Sequence, residues 1–416
     1  MLFHVPPSLR HRKFRLLWIG LAISMAGSQM QVWALFWHIR TLTDQPIALG
    51  GVGLARIAPI IVFSLVGGAV ADALNRRRVL FLTQAIMVLV ALALTWLTFR
   101  EETTLWHIYV LTAIQAVAIS FDSPARQALV HNLVPSRDLP NAFSLTSIAH
   151  QSGAIVGPAL SGLVIAYWGQ AYTYLINAIT YLAVIVALIW MGTVAQEVLP
   201  TRRKAVSWVS IIEGVHFIIG HPIILSTMLL DFFATFFSSA RTLMPIFARD
   251  ILHVGAIGYG WLSAAESIGA MAAALIISQM IEIRRQGKVF LTSVLVFGLA
   301  TIGFGLARTF SLAMLALILM GASDSVSTII RNTIRQLQTP DHIRGRMTSV
   351  NQIFFMGGPQ LGEVEAGVAA QLFGAPFAVV SGGIGCMLAV SWVARRWTQM
   401  VSYNGDEPVR AGATAD

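Results

Sequence analysis

Residues 126–174 read RQALVHNLVPSRDLPNAFSLTSIAHQSGAIVGPALSGLVIAYWGQAYTY, and residues 331–379 read RNTIRQLQTPDHIRGRMTSVNQIFFMGGPQLGEVEAGVAAQLFGAPFAV. A shift of 205 positions aligns the two stretches without a gap. Each runs from a basic residue through a proline-containing polar turn into a long apolar segment spaced by glycines. The aligned glycines are Gly153, Gly157, Gly162 and Gly169 in the first copy and Gly358, Gly362, Gly367 and Gly374 in the second. This repeat predicts a chain built from two homologous halves.

The composition indicates an integral membrane protein. Of the 416 residues, 56% are hydrophobic and only 11% are charged, whereas a soluble domain carries about 25% charged residues. Two homologous halves are a common construction of membrane transporters, in which the substrate site lies where the halves meet. The single cysteine, Cys386, lies within a late apolar segment, which excludes a disulfide framework and a thiolate metal site.

Twelve apolar stretches predict membrane-spanning helices, since about 20 apolar residues cross a bilayer. The first six are residues 16–39, 49–71, 79–98, 106–120, 139–167 and 172–193, and the second six are residues 223–248, 258–281, 289–307, 312–330, 347–373 and 376–394. The sequence therefore predicts an all-α membrane protein with 12 transmembrane helices in two pseudo-symmetric six-helix bundles.

These spans divide the chain into four segments. We expect an N-terminal six-helix bundle at residues 1–195, a cytoplasmic linker at 196–221, a C-terminal six-helix bundle at 222–397 and a disordered cytoplasmic tail at 398–416. Within the linker, residues 207–220 predict a short interfacial helix. The first apolar run is too long for the core of a signal peptide, so we expect it to be retained as the first span.

Lysine and arginine residues are concentrated on one side of this arrangement. The basic clusters at residues 76–78 and 202–204 lie in loops on the same side as the N-terminus, as do most basic loop residues of the second half. Such residues mark the cytoplasmic side, so both termini are predicted in the cytoplasm, with the chain in a bacterial inner membrane. The net charge of +9 then reflects topology and does not indicate a nucleic-acid partner.

The loop after the second span carries a motif of charged residues and glycines. Residues 67–78 read GGAVADALNRRR, in which Asp72 and Arg76 share one helix face at the predicted membrane edge. The motif is similar to the loop 2–3 signature of the major facilitator superfamily. It departs from that signature at Ala73, where the family usually has a basic residue, and at Asn75, where it usually has glycine.

The resemblance implies a conformational charge relay at the inner membrane edge. In the superfamily, the aspartate and the arginine four residues later interact with an acidic residue at the inner end of the fourth span. The corresponding residues of this chain are Asp72, Arg76 and Asp122. The alternative is that the basic residues only mark a cytoplasmic loop, but this leaves an aspartate at the membrane edge unexplained.

The predicted fifth span contains Gly153, Gly157, Pro158 and Gly162. Small residues four apart allow two helices to approach closely, and a proline removes one helix hydrogen bond and permits a bend. The segment also resembles the fifth-span signature of antiporters in the superfamily, which implies export. Ordinary close helix packing is the alternative interpretation, and it applies equally to the second copy of the repeat.

The proline-containing turn at residues 133–142 and its counterpart at 338–346 are similar to one branch of the superfamily, which contains the enterobactin exporter and related drug-efflux proteins. The resemblance covers nearly the whole chain. It implies a monomeric secondary transporter that exports a small organic molecule, a siderophore or an amphipathic drug. The drive would be proton antiport by alternating access, with no cofactor besides the proton gradient.

Two other functions are alternatives to export. A transporter of lysophospholipid with the same fold is the open alternative. An intramembrane enzyme would need a cluster of reactive groups or a metal site, but the sequence lacks the His-Glu-x-x-His and Gly-x-Ser-x-Gly motifs. The sequence also lacks a phosphate-binding Gly-x-x-x-x-Gly-Lys loop, which disfavours ATP as the energy source.

Ionisable residues inside spans are energetically costly and mark candidate functional sites. Burial favours the protonated form of a carboxyl group, so intramembrane carboxylates of the second half are candidates for proton coupling. These candidates are Asp231, Glu266 and Asp324. In the superfamily fold, spans one, four, seven and ten line the cavity, which implies that Gln29, Gln115 and Arg241 contact substrate. Structural ion pairs between helices are the alternative for these residues.

Two further groups of residues lie in the outer halves of the spans. Trp33, Phe36 and Trp37 favour an aromatic belt at the outer interface, with contact to an aromatic substrate as the alternative. Arg56 lies about eight residues inside the outer end of the second span, and Glu363 and Glu365 lie about nine and seven residues inside that of the eleventh. At 1.5 Å per residue, all three charges lie about 10–14 Å below the same surface. If these spans face each other, as in the superfamily, Arg56 forms an outer gate with Glu363, or alternatively with Glu365, because an unpaired buried charge is very costly.

We expect this gate pair to form when the outer side closes and to break when it opens. Arg56→Ala should shift the population toward the outward-open state, and a charge exchange with the correct glutamate should partly restore the balance. Cysteines at positions 56 and 363, in a variant lacking Cys386, should cross-link when the outer side is closed. If neither the 56–363 nor the 56–365 pair cross-links in any state, the gate assignment is wrong.

Overall fold

The computed structural model describes residues 6–194, 208–238, 240–280 and 283–405. Side chains are described for these residues except at positions 64–73, 208–211, 240, 341, 342, 344, 345, 348, 349 and 352–356. Within this part of the chain, the secondary structure consists of 15 α-helices with two short 3₁₀ turns and one π turn.

The first half contains six long helices. They are α1 (Arg12–Leu42), α2 (Pro46–Ala73), α3 (Arg76–Phe99), α4 (Leu105–Leu133), α5 (Leu139–Trp168) and α6 (Gln170–Met191). Polar residues set several of the helix starts, because a capping side chain satisfies a free backbone N–H group. Asn75 accepts a hydrogen bond from the backbone N–H of Arg78 at the start of α3, and Thr104 accepts one from that of His107 at the start of α4.

The second half contains nine helices of very different lengths. They are α7 (Trp208–Gly220), α8 (Pro222–Phe237), α9 (Ala240–Ile246), α10 (Gly255–Ser278), α11 (Gln286–Leu306), α12 (Phe310–Leu337), α13 (Asp341–Phe373), α14 (Ala375–Arg396) and α15 (Thr398–Ser402). Helix α7 lies where the sequence predicted a short interfacial helix. The predicted seventh span at residues 223–248 is divided between α8 and α9, and the π turn Phe247–Ile251 follows it.

The tail predicted to be disordered from residue 398 begins with ordered structure. Met400 and Tyr403 are almost fully buried in the same apolar cluster as Val393 of α14. The backbone N–H of Gly287, in α11, also donates a hydrogen bond to the carbonyl oxygen of Tyr403 at 3.0 Å. Burial of these side chains orders the segment. The sequence did not predict this order, because most of the neighbouring residues are polar. Residues 406–416 of the predicted tail, and residues 195–207 of the predicted linker, lie outside the described residues.

Eleven helical stretches in the described chain are long and apolar enough to cross a membrane. Each overlaps one of the twelve spans predicted from the sequence. The remaining predicted span, residues 347–373, lies in α13, a continuous helix of 33 residues that is not among the eleven stretches. The multi-pass character is therefore established, whereas the number of twelve spans and the cytoplasmic position of the termini stay predictions.

The described residues belong to two compact units. The first unit lies within Met1–Asp44, Ala55–Ala205 and Val254–Ala264, and the second within Gln45–Leu54, Val206–His253 and Ala265–Asp416. Each unit consists mainly of one half of the sequence and includes one short helical segment from the other half. The start of α2 belongs to the second unit, and the start of α10 belongs to the first.

In the first unit, glycines of α5 pack directly against the backbones of α1 and α10. A Cβ atom at Gly157 would lie only 2.7 Å from the carbonyl oxygen of Ala26 in α1. A Cβ atom at Gly162 would lie 2.8 Å from the Cα atom of Gly260 in α10. Glycine is therefore required at both positions, since only a residue without a side chain permits such close contact between helices.

The second unit repeats this construction with the aligned glycines of α13. A Cβ atom at Gly367, which the repeat aligns with Gly162, would lie 2.9 Å from the Cα atom of Gly50 in α2. The last aligned pair has a different role, because Gly169 and Gly374 adopt φ angles of 86° and 88° between consecutive helices. A residue with a side chain is strained in this left-handed region. The repeat thus preserves one helix contact, at Gly162 and Gly367, and one turn, at Gly169 and Gly374.

Alanine substitutions should separate the contact glycines from glycines that have free space. Gly260→Ala should lower the melting temperature in detergent, because its Cβ atom would lie 2.7 Å from the carbonyl oxygen of Pro158, and overpacking costs about 1–3 kcal/mol. Gly303→Ala is the matched control, since its Cβ atom meets only Ala316, at 3.9 Å. The control should hold or raise the melting temperature, because alanine favours a helix by about 1 kcal/mol over glycine. Equal melting temperatures for the two variants would contradict the packing described here.

Candidate functional site

Asp122, on α4, is a buried carboxylate of the first unit. The residue is 2% exposed. Its Oδ1 atom accepts hydrogen bonds from Thr83 Oγ1 at 3.0 Å and from Gln84 Nε2 at 2.8 Å, both on α3. Its Oδ2 atom forms an ion pair with Arg126, one turn further along α4. These partners compensate the negative charge, as a buried carboxylate requires.

Of the other two members of the predicted relay, the structure describes the side chain of Arg76 but not that of Asp72. Arg76 donates a hydrogen bond to the side-chain oxygen of Asn132 at 2.5 Å, which joins the start of α3 to the end of α4. Asp72 lies outside the residues whose side chains are described. The relay among Asp72, Arg76 and Asp122 therefore stays a prediction. Arg126 was missing from it, although its spacing of four residues from Asp122 places both on one face of a helix.

A neutral hydrogen-bond network occupies the interior of the first unit. Gln31 donates to Gln115 Oε1 at 2.9 Å, and Gln115 donates in turn to Tyr181 Oη at 2.9 Å. Asn177 donates to Gln31 Oε1 at 2.6 Å. The network links α1, α4 and α6 through side chains that are buried. The amide group of Gln115 is thus bonded to protein on both sides, whereas Gln29, the other glutamine predicted to contact substrate, is partly exposed.

The second unit holds a buried ionic cluster on α8 and α12. Asp231 Oδ1 lies 2.9 Å from Arg331 Nη1, and Asp231 Oδ2 lies 3.6 Å from Arg335 Nη2. All three side chains are only 4% exposed. Arg335 also donates hydrogen bonds to Thr227 Oγ1 at 3.2 Å and to Asn351 Oδ1 at 2.6 Å. The aspartate is therefore held between two guanidinium groups.

Asp324 lies at the edge of this cluster. Its Oδ1 atom is 3.8 Å from Arg331 Nη1, the same nitrogen that contacts Asp231. Its side chain is 41% exposed, about ten times the fraction of Asp231. One guanidinium group thus serves two carboxylates, of which one is enclosed and the other is accessible. Neither arginine was predicted as a site residue, because basic residues near a helix end were attributed to topology.

The third proton-coupling candidate is joined to a predicted substrate contact. Arg241, on α9, donates a hydrogen bond from Nε to Glu266 Oε2, on α10, at 2.5 Å. The Arg241 side chain is 63% exposed, whereas that of Glu266 is 9% exposed. Glu266 is therefore committed to a structural ion pair, and the rest of the arginine head group is accessible.

The residues of the predicted outer gate are described within separate units. In the first unit, the guanidinium carbon of Arg56 lies 5.5 Å from the ring centre of Phe36, which is a cation–π contact. In the second unit, a Cβ atom at Gly53 would lie 2.9 Å from Glu363 Cβ, so α13 packs tightly on the start of α2. Glu365 lies on the same helix and is partly buried. The pairing of Arg56 with Glu363 or Glu365 stays a prediction.

The aromatic-belt interpretation is wrong for Trp33 and Phe36. Both side chains are buried rather than lipid-facing. Tyr259, at the start of α10, donates a hydrogen bond to the carbonyl oxygen of Trp33 at 2.8 Å and packs its ring edge-on against the indole. Close packing of α1 against α10 covers these rings, which the sequence of α1 alone did not reveal.

The glycines of the antiporter-type motif all have structural contacts. Gly153 and Gly157 pack on α1, Gly162 packs on α10, and Pro158 lies within the continuous helix α5. This is the close helix packing that the sequence allowed as an alternative. A role of the motif in export remains a prediction beside it.

Known proteins resemble this chain along nearly its full length. The family model described as transmembrane secretion effector matches residues 5–406. The enterobactin exporter EntS of Salmonella choleraesuis (strain SC-B67) is 24% identical over 340 residues, which is 82% of this chain and 81% of that protein. EntS of Shigella boydii serotype 18 is 26% identical over the same lengths.

Solved structures of transporters share the fold. A bacterial homologue of the human lysosomal transporter Spinster matches with a TM-score of 0.73 at 12% identity, covering 95% of this chain and 99% of that one. A POT family transporter in complex with 5-aminolevulinic acid matches with a TM-score of 0.74 at 13% identity, covering 97% and 98%. Identities this low show a common fold and nothing about substrate.

Neutralising the buried carboxylate of the first unit should reduce transport without preventing insertion. Asp122→Asn leaves Arg126 without its counter-charge, so we expect dye efflux from cells to fall while the membrane level stays normal. Thr83→Val is the matched control, because it removes one hydrogen bond but keeps the charge pair, and it should lose less activity. For the relay as a whole, normal efflux by Asp72→Asn at a normal membrane level would refute the predicted role.

Proposed function

The chain belongs to the transmembrane secretion effector family of the major facilitator superfamily, and on this basis we propose that it exports a small organic molecule in exchange for protons. The proposed substrate is a siderophore or an amphipathic drug. The relatives named above are exporters of enterobactin, a siderophore, and they match over four fifths of both chains. Family membership also excludes the intramembrane enzyme, because the matching proteins are transporters.

The observation that carries the proposal is the accessible carboxylate of Asp324. Proton exchange requires a group that water or substrate can reach and that exists in both protonation states. Asp231 and Glu266 are enclosed and paired with arginine at 2.9 Å and 2.5 Å, and an adjacent positive charge favours the ionised state of a carboxylate. Asp324 has a longer contact of 3.8 Å and ten-fold greater exposure. Of the three candidates, we assign proton exchange to Asp324.

The same carboxylate suits competition between proton and substrate. An ionised Asp324 accepts hydrogen bonds from substrate hydroxyl or ammonium groups, whereas a protonated Asp324 loses most of this capacity. Arg241 lies in the same unit and presents an exposed side chain. An accessible donor and an accessible acceptor in one unit would bind a molecule that carries both hydroxyl and acidic groups. Catechol siderophores are of this chemical type.

Transport would follow from alternating access in the bacterial inner membrane. Substrate binds to the deprotonated protein from the cytoplasm and is released outside, where protonation of Asp324 reduces its capacity to accept hydrogen bonds. The protonated protein then returns and loses its proton to the cytoplasm. Each step changes only the occupancy of Asp324, so a monomer is sufficient for the cycle.

Asp324→Asn should separate coupling from binding. In proteoliposomes with an imposed pH gradient, we expect enterobactin transport by the variant to fall to the level of protein-free vesicles. Exchange of labelled for unlabelled enterobactin without a gradient should persist at weaker affinity, because exchange requires no change of protonation state at position 324 and asparagine keeps one acceptor oxygen. Asp44→Asn is the control, since Asp44 is 85% exposed in the loop between α1 and α2 and forms an ion pair with nearby Arg40.

Two results would contradict the proposed function. If Asp324→Asn still accumulates substrate against a gradient, Asp324 does not carry the proton. If the parent protein moves labelled lysophosphatidylcholine but neither enterobactin nor ethidium, the proposed substrate class is wrong and lipid transport replaces it.

A further inference from the structure

The two copies of the repeat place an arginine at the same position of α4 and α12. The shift of 205 positions aligns Arg126 with Arg331 and Asp122 with Ser327. In the first unit, Arg126 pairs with Asp122, four residues earlier on the same helix. In the second unit, Arg331 Nη1 donates a hydrogen bond to Ser327 Oγ at 3.2 Å, again four residues earlier. The geometry of the arginine site is shared, but the second copy has no carboxylate four residues before its arginine.

A carboxylate from a different helix supplies the missing charge. Asp231, on α8, lies 2.9 Å from the same Nη1 atom of Arg331. It also lies 3.6 Å from Arg335, for which the aligned first-half residue is the apolar Val130. A buried guanidinium group without a counter-charge is strongly destabilising. The second unit therefore depends on Asp231 where the first depends on Asp122.

The charges around this site can be assigned helix by helix. Helix α8 contributes Asp231, and α12 contributes Asp324, Arg331 and Arg335. The neutral acceptor from α13 is Asn351, which binds Arg335. With both aspartates ionised, the two positive charges are balanced by two negative charges. Protonation of the accessible Asp324 leaves the enclosed Asp231 as the counter-charge of both arginines.

The geometry points to Asp231 as a fixed counterion that replaces the lost carboxylate at position 327, with Arg331 as the positioning residue shared between this counterion and Asp324. In this assignment Asp231 keeps its contacts with Arg331 and Arg335 through the transport cycle and holds α8 against α12. Arg331 is kept in place by Asp231 and presents the same nitrogen to Asp324. The assignment deepens the proposed function, on which the exchange role of Asp324 rests.

The repeat predicts that a counterion for Arg331 can be placed at position 327 instead of position 231. An aspartate at position 327 would have the same position relative to Arg331 as Asp122 has relative to Arg126, since both pairs are four residues apart on aligned helices. Asp231→Asn alone should destabilise the second unit, because Arg331 and Arg335 then share only Asp324. Combining it with Ser327→Asp should restore a counter-charge to Arg331. Arg335 would still lack its contact with an aspartate, so the restoration should be partial.

The decisive comparison is between D231N/S327D and D231N/S327N, which differ by one charge at nearly constant volume. We expect the melting temperature of purified protein to fall in D231N and to rise again in D231N/S327D but not in D231N/S327N. If D231N is not recovered as folded protein, the folded yield of the two double variants carries the same comparison. Equal stability of the double variants, or a D231N variant as stable as the parent, would overturn the counterion assignment.

A transport measurement tests the second part of the inference. We expect D231N/S327D to regain enterobactin transport driven by a pH gradient, with the pH profile of the parent, because Asp324 and Arg331 are both retained. Recovery of stability without recovery of gradient-driven transport would show that Asp231 itself carries the proton, and this would overturn the assignment. Arg331→Lys, which keeps the charge but changes its shape, should shift the pH profile, whereas an unchanged profile would exclude a positioning role for Arg331.

The stability comparison keeps this inference separate from the proposed function. If the parent shows no gradient-driven transport, the proposed function fails, but the melting temperatures of the double variants still decide whether Asp231 is the counterion of Arg331. If the parent transports and the double variants do not differ in stability, only the counterion inference fails.

Discussion

A charge enclosed between membrane-spanning helices must have a partner of opposite charge, and this constraint accounts for the ion pairs in the interiors of both units. Removal of one partner leaves a buried charge that costs several kcal/mol, so each enclosed arginine and aspartate fixes the position of another helix. In the first unit the pair Asp122–Arg126 lies on one helix and needs only hydrogen bonds from α3. In the second unit the pairs cross from α8 to α12 and from α9 to α10. Ionic contacts therefore connect neighbouring helices mainly in the second unit.

Close helix contacts make these short pairings possible. Gly157 and Gly162 of α5 and Gly367 of α13 bring their helices into contact with neighbouring backbones, whose atoms lie 2.5–3.3 Å from where a Cβ atom would stand. Dispersion and polar contacts between helices gain from such proximity, because lipid chains offer no hydrophobic driving force for helix association. The repeat preserved Gly162 and Gly367 for this reason, while it allowed the charged residues beside them to diverge. Pro158, for example, aligns with Glu363.

The sequence was sufficient for those features that depend on local pattern. Length and apolarity located the spans, and the aligned glycines identified the positions of contact on α5 and α13. Intramembrane position identified Asp122, Asp231, Glu266 and Asp324 as candidates, but it could not rank them. Ranking them required the exposed fraction of each carboxylate and the identity of its ion-pair partner. Asp324 is accessible, whereas Glu266 and Asp231 are enclosed and paired with arginines from other helices. Those pairings join residues 25 to about 100 positions apart, and no periodicity in a single chain encodes such distances.

The break of the predicted seventh span into α8 and α9 has a related cause. Its apolar residues satisfy a continuous span by composition, but Ser238 Oγ lies 3.2 Å from Thr301 Oγ1 of α11, and Arg241 begins α9 with its contact to Glu266. Polar partners from neighbouring helices stabilise the interruption, which an isolated helix in lipid would not tolerate.

The polar groups in the interiors of the two units also differ. The interior of the first holds a neutral network around Gln31, Gln115 and Asn177, beside the buried pair of Asp122 and Arg126. The second contains charges with accessible ends at Asp324 and Arg241. The two copies of the repeat thus share contact glycines but differ in the polar groups of the units that contain them.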